Sequence, residues 1–478
     1  MAAREQERTG SKEGFEPRLQ ALFALPQYEF DAKTNLSPGI MRLIDRGLYT
    51  DPDHPICITR KLIESVFDVP QYRHYCASNP IVTTKMNFDT LDFPIDHPGR
   101  SSTDTYYVNS EHVLRTHTSA HQLDAFHRIK DHAVKASPGY TICSDVFRRD
   151  SIDRSHFPVF HQMEGVRLWQ RYHKDRKGNR QSLYDGTKQR RATIAEEIKQ
   201  LGMTPLQVED NTPALHQTRN PKQNHHDEQE VRLVATHLKR SLEHLVWKVF
   251  CAANHLRPST TASSQDTLKV RWVESSFPFT TPSWELEVQW PPRGSQQSGG
   301  GSNSNSGDDD DGEPQWLELL GCGIVQQRLL RRAHVGDFIG WAWGIGIERL
   351  AMLLFSIPDI RLFWSTDPRF RFQFREGQIN AFKPFSKYPE SSRDIAFWIN
   401  PTSFHANDLM EIVRTVGGDL VEDVRQIDSF THPTTGRRSL CYRIVYRSVE
   451  RTLTNDQVNV LHETLRMKLP GEMGVELR

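Results

Sequence analysis

The sequence predicts an α+β protein, and three observations carry that prediction. Apolar and polar residues alternate through Lys269–Ser275, Trp284–Trp290 and Ser439–Tyr446, as half-buried antiparallel strands require. Helical periodicity marks His121–Ala136, Glu230–Asn254 and Glu348–Phe355. These helical stretches group around the strand-like runs, an order that suits an antiparallel sheet with helices packed on it.

The chain has 478 residues, enough for two or three domains. Apolar residues make up 37% and charged residues 25%, a mix that buries a core. No apolar run approaches the ~18 residues of a membrane span. Basic and acidic residues balance at 60 each, so an RNA site would have to be a local patch. Six scattered cysteines form no CxxC pair, which argues against a zinc site or disulfide framework and fits a reducing compartment. Met1–Glu16 carries Arg4, Arg8 and Lys12 among Glu5, Glu7, Glu13 and Glu16, so neither a transit peptide nor a secretory signal is visible.

Gly294–Glu313 is a Gly/Ser/Asn/Asp tract. It cannot bury enough apolar surface to offset its ordering entropy, so it reads as a long loop joining strands Ser283–Trp290 and Gln315–Leu320. A second insertion is expected within 174–227, with a helical piece at Ala192–Leu201. The cluster His225–Glu228 at its end reads as a solvated helix start, since no second cluster follows at ligand spacing.

Two segments carry chemistry. In Cys143–Val166 a strand ends at Arg148-Arg149, a polar loop follows, and a second strand bears Gln162 and Glu164. An arginine at a hairpin base can clamp a phosphate with its planar fork, and a carboxylate on the return strand can accept from an amine. A salt-bridged surface hairpin is the competing reading. In Gly340–Leu354, glycines at 340, 344 and 346 precede Glu348-Arg349 and an apolar helix. Glycine lets backbone approach a ligand closely. Arg349 falls in the first turn, where the helix dipole disfavours a cation, a placement that points to function.

Together these segments resemble motifs two and three of class II aminoacyl-tRNA synthetases, with Asn79–Val82 as a weak first motif. Narrower matches follow. His117–Gln122 and Phe277-Pro278-Phe279-Thr280 resemble the amino-acid segment and phenylalanine pocket of phenylalanyl-tRNA synthetases, and Glu318–Gly323 the strand before motif three. Lys383–Pro389 and Arg393–Ile399 look like the start of the ferredoxin-like anticodon-binding domain of the single-chain organellar type.

The resemblance implies an N-terminal extension over 1–40, a class II catalytic domain over 41–378 with insertions near 174–227 and 294–313, and an anticodon-binding domain over 381–478. It implies ATP-dependent formation of phenylalanyl-adenylate and transfer to the 2′-hydroxyl of the tRNA's terminal adenosine. Arg148 would meet the α-phosphate and Arg349 the γ-phosphate. Ser155, His156, Phe157 and Glu164 would surround ATP, with Phe157 stacked on adenine. Ser119, Ala120, His121, Gln122, Gln162, Glu164, Phe277, Phe279, Glu318 and Trp343 would receive phenylalanine, Trp343 either narrowing its pocket or merely repacking it. Either Thr118 or Ser119 could instead cap the following helix. Glu318 would stand near an ATP-bound Mg²⁺, with no zinc and no organic cofactor. Leu440, Tyr442, Ile444 and Tyr446 would form a core face, and Arg443 and Arg447 an open basic face, joined by Arg437, Arg438 and Arg451, for tRNA. A monomer without membrane contact in the mitochondrial matrix is expected. The rivals are a synthetase-like RNA binder without catalysis and the catalytic subunit of a two-subunit enzyme. The intact arginines oppose the first, the C-terminal module the second.

Overall fold

The computed structural model describes residues 28–44, 46–68, 71–77, 79–131, 139–170, 183–212, 215–254, 268–290, 315–384, 388–401 and 404–478. The Gly294–Glu313 tract, Met1–Glu16 and positions 385–387 lie outside them.

The larger unit is built on one eight-stranded sheet. Its strands are β1 (Tyr72–Cys76), β4 (Gly139–Phe147), β5 (Val159–Gln170), β6 (Gln207–Asp210), β7 (Lys269–Phe277), β8 (Thr280–Trp290), β9 (Gln315–Val325) and β10 (Phe338–Gly346). Their order is β1-β4-β5-β10-β9-β8-β7-β6. The six central strands pair antiparallel, and β1 and β6 add parallel edges. A short ribbon of β2 (Ile81–Thr83) and β3 (His112–Leu114) lies apart from it.

The helices of this unit are α1 (Pro55–Glu64), α2 (Gln122–Asp131), α3 (Leu183–Leu201), α4 (Glu228–Asn254) and α5 (Ile347–Phe355). On α4, Val231, Val234, Leu238, Leu242, Leu245 and Val249 recur at three- and four-residue steps, and all are buried. That apolar stripe packs with α1 and α5 on one sheet face, against Trp341, Trp343 and Ile345 of β10. The other face is covered at one end by Ala125, Phe126 and Ile129 of α2, resting on Tyr140, Ile142, Val166, Leu168 and Ala342. The remainder of that face opens into a cleft.

The segment expected as an insertion is tied into this unit. Ile194 of α3 is fully buried, and Arg190 of α3 pairs with Glu230 of α4. Glu197 of α3 takes hydrogen bonds from Arg167 (2.7 Å) and Trp169 (3.2 Å) of the sheet. The Asn220 side chain bonds both backbone groups of Ser283, at 2.7 and 2.9 Å. Asp227 accepts from the Glu230 amide at 2.9 Å, and His226 lies 2.8 Å from Gln327, so this cluster is a helix start.

The C-terminal unit runs β11 (Ser391–Ile399), α6 (Ala406–Gly417), β12 (Val421–Thr431), β13 (Arg438–Tyr446), α7 (Asn455–Met473) and β14 (Glu476–Leu477). Its antiparallel order β12-β13-β11-β14 is the ferredoxin-like arrangement. Thr454 and Gln457 form a capping box at the start of α7. Leu440, Tyr442 and Ile444 join Ile395, Phe397, Leu409 and Leu465 beneath the two helices, as the alternation predicts.

The opposite face is not an open basic surface. Arg443 is held by Asp394 of the neighbouring strand through two 2.8 Å bonds. Arg447 pairs with Glu390 (2.8 Å) and with buried Glu422 (3.1 Å). Arg451 bonds Gln457 at 2.8 Å. The reason is register: Asp394 stands directly opposite Arg443, and cross-strand pairs of opposite charge satisfy one another.

Candidate active site

The cleft has a volume of about 520 Å³ and is built from four elements: the β4–β5 hairpin, the turn before α2, the β7–β8 hairpin, and the β9–β10–α5 succession. Arg148 extends from the end of β4. Its Nε donates to the Thr116 carbonyl at 2.9 Å, and its guanidinium carbon lies 5.2 Å from the centre of the Phe160 ring. Arg349 stands third in α5 after the N-cap Gly346, and it donates to the Glu318 carbonyl at 3.2 Å. Both arginines line the same cleft.

Glu348 explains how they are brought together. It is 2% exposed, and its carboxylate accepts the His161 amide at 2.8 and 2.9 Å and lies 2.6 Å from the His161 ring. This buried contact fixes the start of α5 to β5, and so Arg349 to the strand bearing Phe160, Gln162 and Glu164. Glycine at 344 keeps the strand floor flat: a Cβ there would sit 3.0 Å from Gln162 Nε2.

Glu164 is 3% exposed and accepts a 2.6 Å hydrogen bond from Ser119. Burial pushes its pKa up to about 7, opposed by the Ser119 and Thr118 hydroxyls. Its Oε1 has no well-formed hydrogen bond among the described residues. A carboxylate so placed is a receptor for a cation such as an ammonium group. Above it stand Phe277 and Phe279, with ring centres 6.0 Å apart and 8° between planes. Phe93 lies 6.3 Å from Phe279 and stacks on His117 at 5.5 Å. Burial lowers the His117 pKa to about 3, with Arg148 adding to the effect, so this ring is a neutral wall. Gly321 makes room for Phe277, since a Cβ there would meet the ring edge at 2.6 Å.

The polar rim comes from the β4–β5 loop. Asp153 collects the Ser155 amide (2.6 Å) and hydroxyl (2.7 Å), the His156 amide (2.9 Å) and the His156 ring (2.6 Å). The Asp153 bond raises the His156 pKa. Glu318 is exposed in the cleft, and its pKa is raised by partial desolvation and then by Glu285. Among the described residues no group of three or more metal-ligating side chains stands there, so Glu318 would hold a divalent cation only together with phosphate oxygens.

The structure places most expected residues around the cleft: Ser119, Gln122, Arg148, Ser155, His156, Phe157, Gln162, Glu164, Phe277, Phe279, Glu318 and Arg349. Four placements differ. Ala120 packs with Val82, Phe88, Tyr107 and Val113, and His121 lies 3.0 Å from Arg115. The one-turn 3₁₀ helix at Thr118–His121 sends Ser119 and Gln122 inward and these two elsewhere. Trp343 borders the cleft by position, but its ring stacks on Phe67 at 5.2 Å in the core behind the sheet, because alternation turns Ala342 and Gly344 to the front. Phe157 stacks on Trp364 at 5.5 Å. Ser119 serves Glu164 rather than capping a helix, and His117, the residue before the 3₁₀ turn, makes no side-chain cap.

Sequence reasoning missed Phe93, His97, His117, Phe160 and Ala342, all of which line the cleft. Phe160 and His117 sat inside motifs already singled out. Phe93 and His97 belong to an irregular loop without periodicity.

The class II core-domain model of the tRNA synthetases (F) matches residues 42–176 and 237–374, more than half of the chain. The ferredoxin-fold anticodon-binding domain model matches residues 386–478. A mitochondrial phenylalanine–tRNA ligase of Saccharomyces cerevisiae is 44% identical over 95% of this chain and 94% of its own length. The chain belongs to the mitochondrial phenylalanine–tRNA ligase family. A mouse mitochondrial phenylalanine–tRNA ligase is 39% identical over 94% of this chain and 87% of its own. The catalytic-core match skips 177–236, the stretch in which α3 and β6 are added to the shared sheet.

Proposed function

We propose that the chain is a phenylalanine–tRNA ligase that works in two steps within this single cleft. The carboxylate of phenylalanine attacks the α-phosphorus of ATP, and pyrophosphate leaves. The 2′-hydroxyl of the tRNA's terminal adenosine then attacks the acyl carbon, and AMP leaves. No covalent enzyme intermediate is required, so catalysis consists of positioning and stabilisation of phosphorane charge.

The observation that carries this reading is the convergence of Arg148 and Arg349 with buried Glu164 and the Phe277–Phe279 wall on one cleft. Glu164 receives the substrate ammonium, and Phe277 and Phe279 take its ring. Arg148 contacts the α-phosphate and Arg349 the γ-phosphate. Phe160, under Arg148, stacks on adenine in place of Phe157. Glu318, with phosphate oxygens, would hold Mg²⁺, which supplies neutralisation of phosphate charge. The protein acts as a monomer in the mitochondrial matrix, a reading supported by relatives named mitochondrial and by a tRNA-binding module in the same chain.

Amino-acid-dependent ATP–pyrophosphate exchange across a panel of amino acids tests the proposal. Phenylalanine should drive exchange far above the others. Exchange no faster with phenylalanine than without would refute it and favour a non-catalytic RNA binder.

A further inference from the structure

We infer that Asn220 and Gln223 are positioning residues for the phenylalanine pocket: they hold the backbone beside the Phe277–Phe279 hairpin and so set where its two rings stand. The inference rests on the reading of that hairpin as the wall for the substrate ring, and it names the residues that fix the wall's selectivity.

The hairpin stands on an irregular piece of sheet. β7 ends at Phe277 and β8 begins at Thr280, so Pro278 and Phe279 form the turn. From Thr280 to Ser283 the chain takes three steps along β8. Both neighbours take two, from Phe277 to Ser275 on β7 and from Val325 to Gly323 on β9. The extra residue makes a bulge, a device that re-aims side chains beside a site. Pro282 has no amide to donate, and the ladder cannot pair every backbone group at a bulge. Backbone groups left there need partners from elsewhere.

Those partners come from the segment expected as an insertion. Asn220 is 2% exposed; it accepts the Ser283 amide at 2.7 Å and donates to the Ser283 carbonyl at 2.9 Å. Gln223 donates to the Thr281 carbonyl at 3.1 Å and to the Val325 carbonyl at 3.0 Å, and it accepts the Gln327 amide at 2.7 Å. One side chain thus ties the bulge of β8 to the end of β9. The next residue there, Gln326, donates its amide to the Phe279 carbonyl at 2.9 Å. On the strand side the fit is close: a Cβ at Gly323 would meet the Pro282 carbonyl at 2.6 Å. The hairpin is therefore pressed from one side and held from the other. Asn220 and Gln223 stand outside the cleft lining, so they act through the hairpin and not on the substrate.

The test is amino-acid-dependent ATP–pyrophosphate exchange by the full chain. Asn220→Ala and Gln223→Ala should each raise KM for phenylalanine about tenfold and leave KM for ATP little changed. The preference for phenylalanine over tyrosine in kcat/KM should fall severalfold, because a loosened apolar wall rejects an added hydroxyl less well. Mere destabilisation lowers the number of working sites, and so apparent kcat, but moves neither KM nor that preference. Ile194→Ala supplies the comparison: it removes core packing from the same segment without touching these bonds, so it should lower the melting temperature with parental KM and preference. Gln223 is half-buried, so Gln223→Ala carries the test if Asn220→Ala does not fold. Phenylalanine-driven exchange in the parent checks the functional reading itself, which separates its failure from failure of this inference. Parental phenylalanine KM and preference in the folded alanine variants would overturn the inference, and so would equal changes in Ile194→Ala.

Discussion

At the scale of single residues, Glu164 makes the sharpest prediction. Its ordinary pKa of 4.5 is pushed up to about 7 by burial. Between those values the folded protein holds a proton that the unfolded chain has released, so this group's contribution to stability falls as pH rises from about 4.5 to 7. Binding runs the other way, because an ammonium ligand needs the carboxylate. KM for phenylalanine in the exchange reaction should fall as pH rises from 6 to 7.5 and then level. Glu164→Gln should flatten the profile and raise KM at pH 8. A parental profile in that variant would remove Glu164 from the ammonium site. Gly321 is a second case. An added methyl would meet Phe277 at 2.6 Å, so Gly321→Ala should raise KM for phenylalanine about tenfold or more while KM for ATP changes little. Arg349→Ala should abolish adenylate formation with an unchanged melting curve, because Arg349 is partly exposed and its only protein hydrogen bond among the described residues is to the Glu318 carbonyl. The place of Arg349 at the cleft was legible because a cation in the first turn of a helix opposes the dipole. That of Trp343 was not, since one residue along a strand reverses the face.

At the scale of elements, the β4–β5 loop is ordered by one carboxylate. Asp153 takes four hydrogen bonds from Ser155 and His156 and stays ionised through them: despite burial, His156 and Ser155 lower its pKa. Asp153→Ala should release the loop and raise KM for ATP several-fold, with phenylalanine KM nearly unchanged and kcat at saturating ATP largely kept. An unaltered ATP KM would show that loop order does not limit nucleotide binding. Most strands and helices that sequence periodicity marked are present with longer ends: Trp284–Trp290 begins at Thr280, and Ala192–Leu201 begins at Leu183, whereas the helix expected over His121–Ala136 runs Gln122–Asp131 and positions 132–136 lie outside the described residues. Strand ends are set by partner strands and not by local pattern, so the extra residues had no signal of their own. The ties between the expected insertion and the core had no local signal for the same reason, since the contacts of Ile194, Arg190 and Asn220 are long-range.

At the scale of the whole molecule, the two units share the loop that lines the cleft. Ile152 is 7% exposed within the C-terminal core, and the Val424 amide donates to its carbonyl at 3.0 Å. Arg154 pairs with Glu422 at 2.6 Å, Arg447 meets the same carboxylate, and buried Arg361 donates to the Asp419 and Arg447 carbonyls at 3.1 Å each. Glu422→Ala would leave Arg447 and Arg154 without this partner, so the denaturation midpoint should fall. KM for ATP should also rise, because Arg154 belongs to the loop that carries Ser155 and His156. A lower midpoint with an unchanged ATP KM would show that the interface is structural only. The same geometry reassigns Arg447: its loss would disturb this interface, so weaker tRNA binding in Arg447→Ala would not by itself identify an RNA contact. Arg443→Ala, which removes an exposed and solvent-screened pair, should leave stability nearly unchanged.

The sequence by itself determined the α+β class, the two motifs that bring arginines to one cleft, the phenylalanine pair and the C-terminal module. Each is written locally, in side-chain period, glycine spacing or a charge set against a dipole. Only the tertiary structure decided that Trp343 faces the core, that Trp364 occupies Phe157, and that Asp394 and Glu422 claim Arg443 and Arg447. Alternation along a strand defines two faces, but the partner on each face comes from residues tens to hundreds of positions away. Register and docking choose that partner, and no local pattern records it.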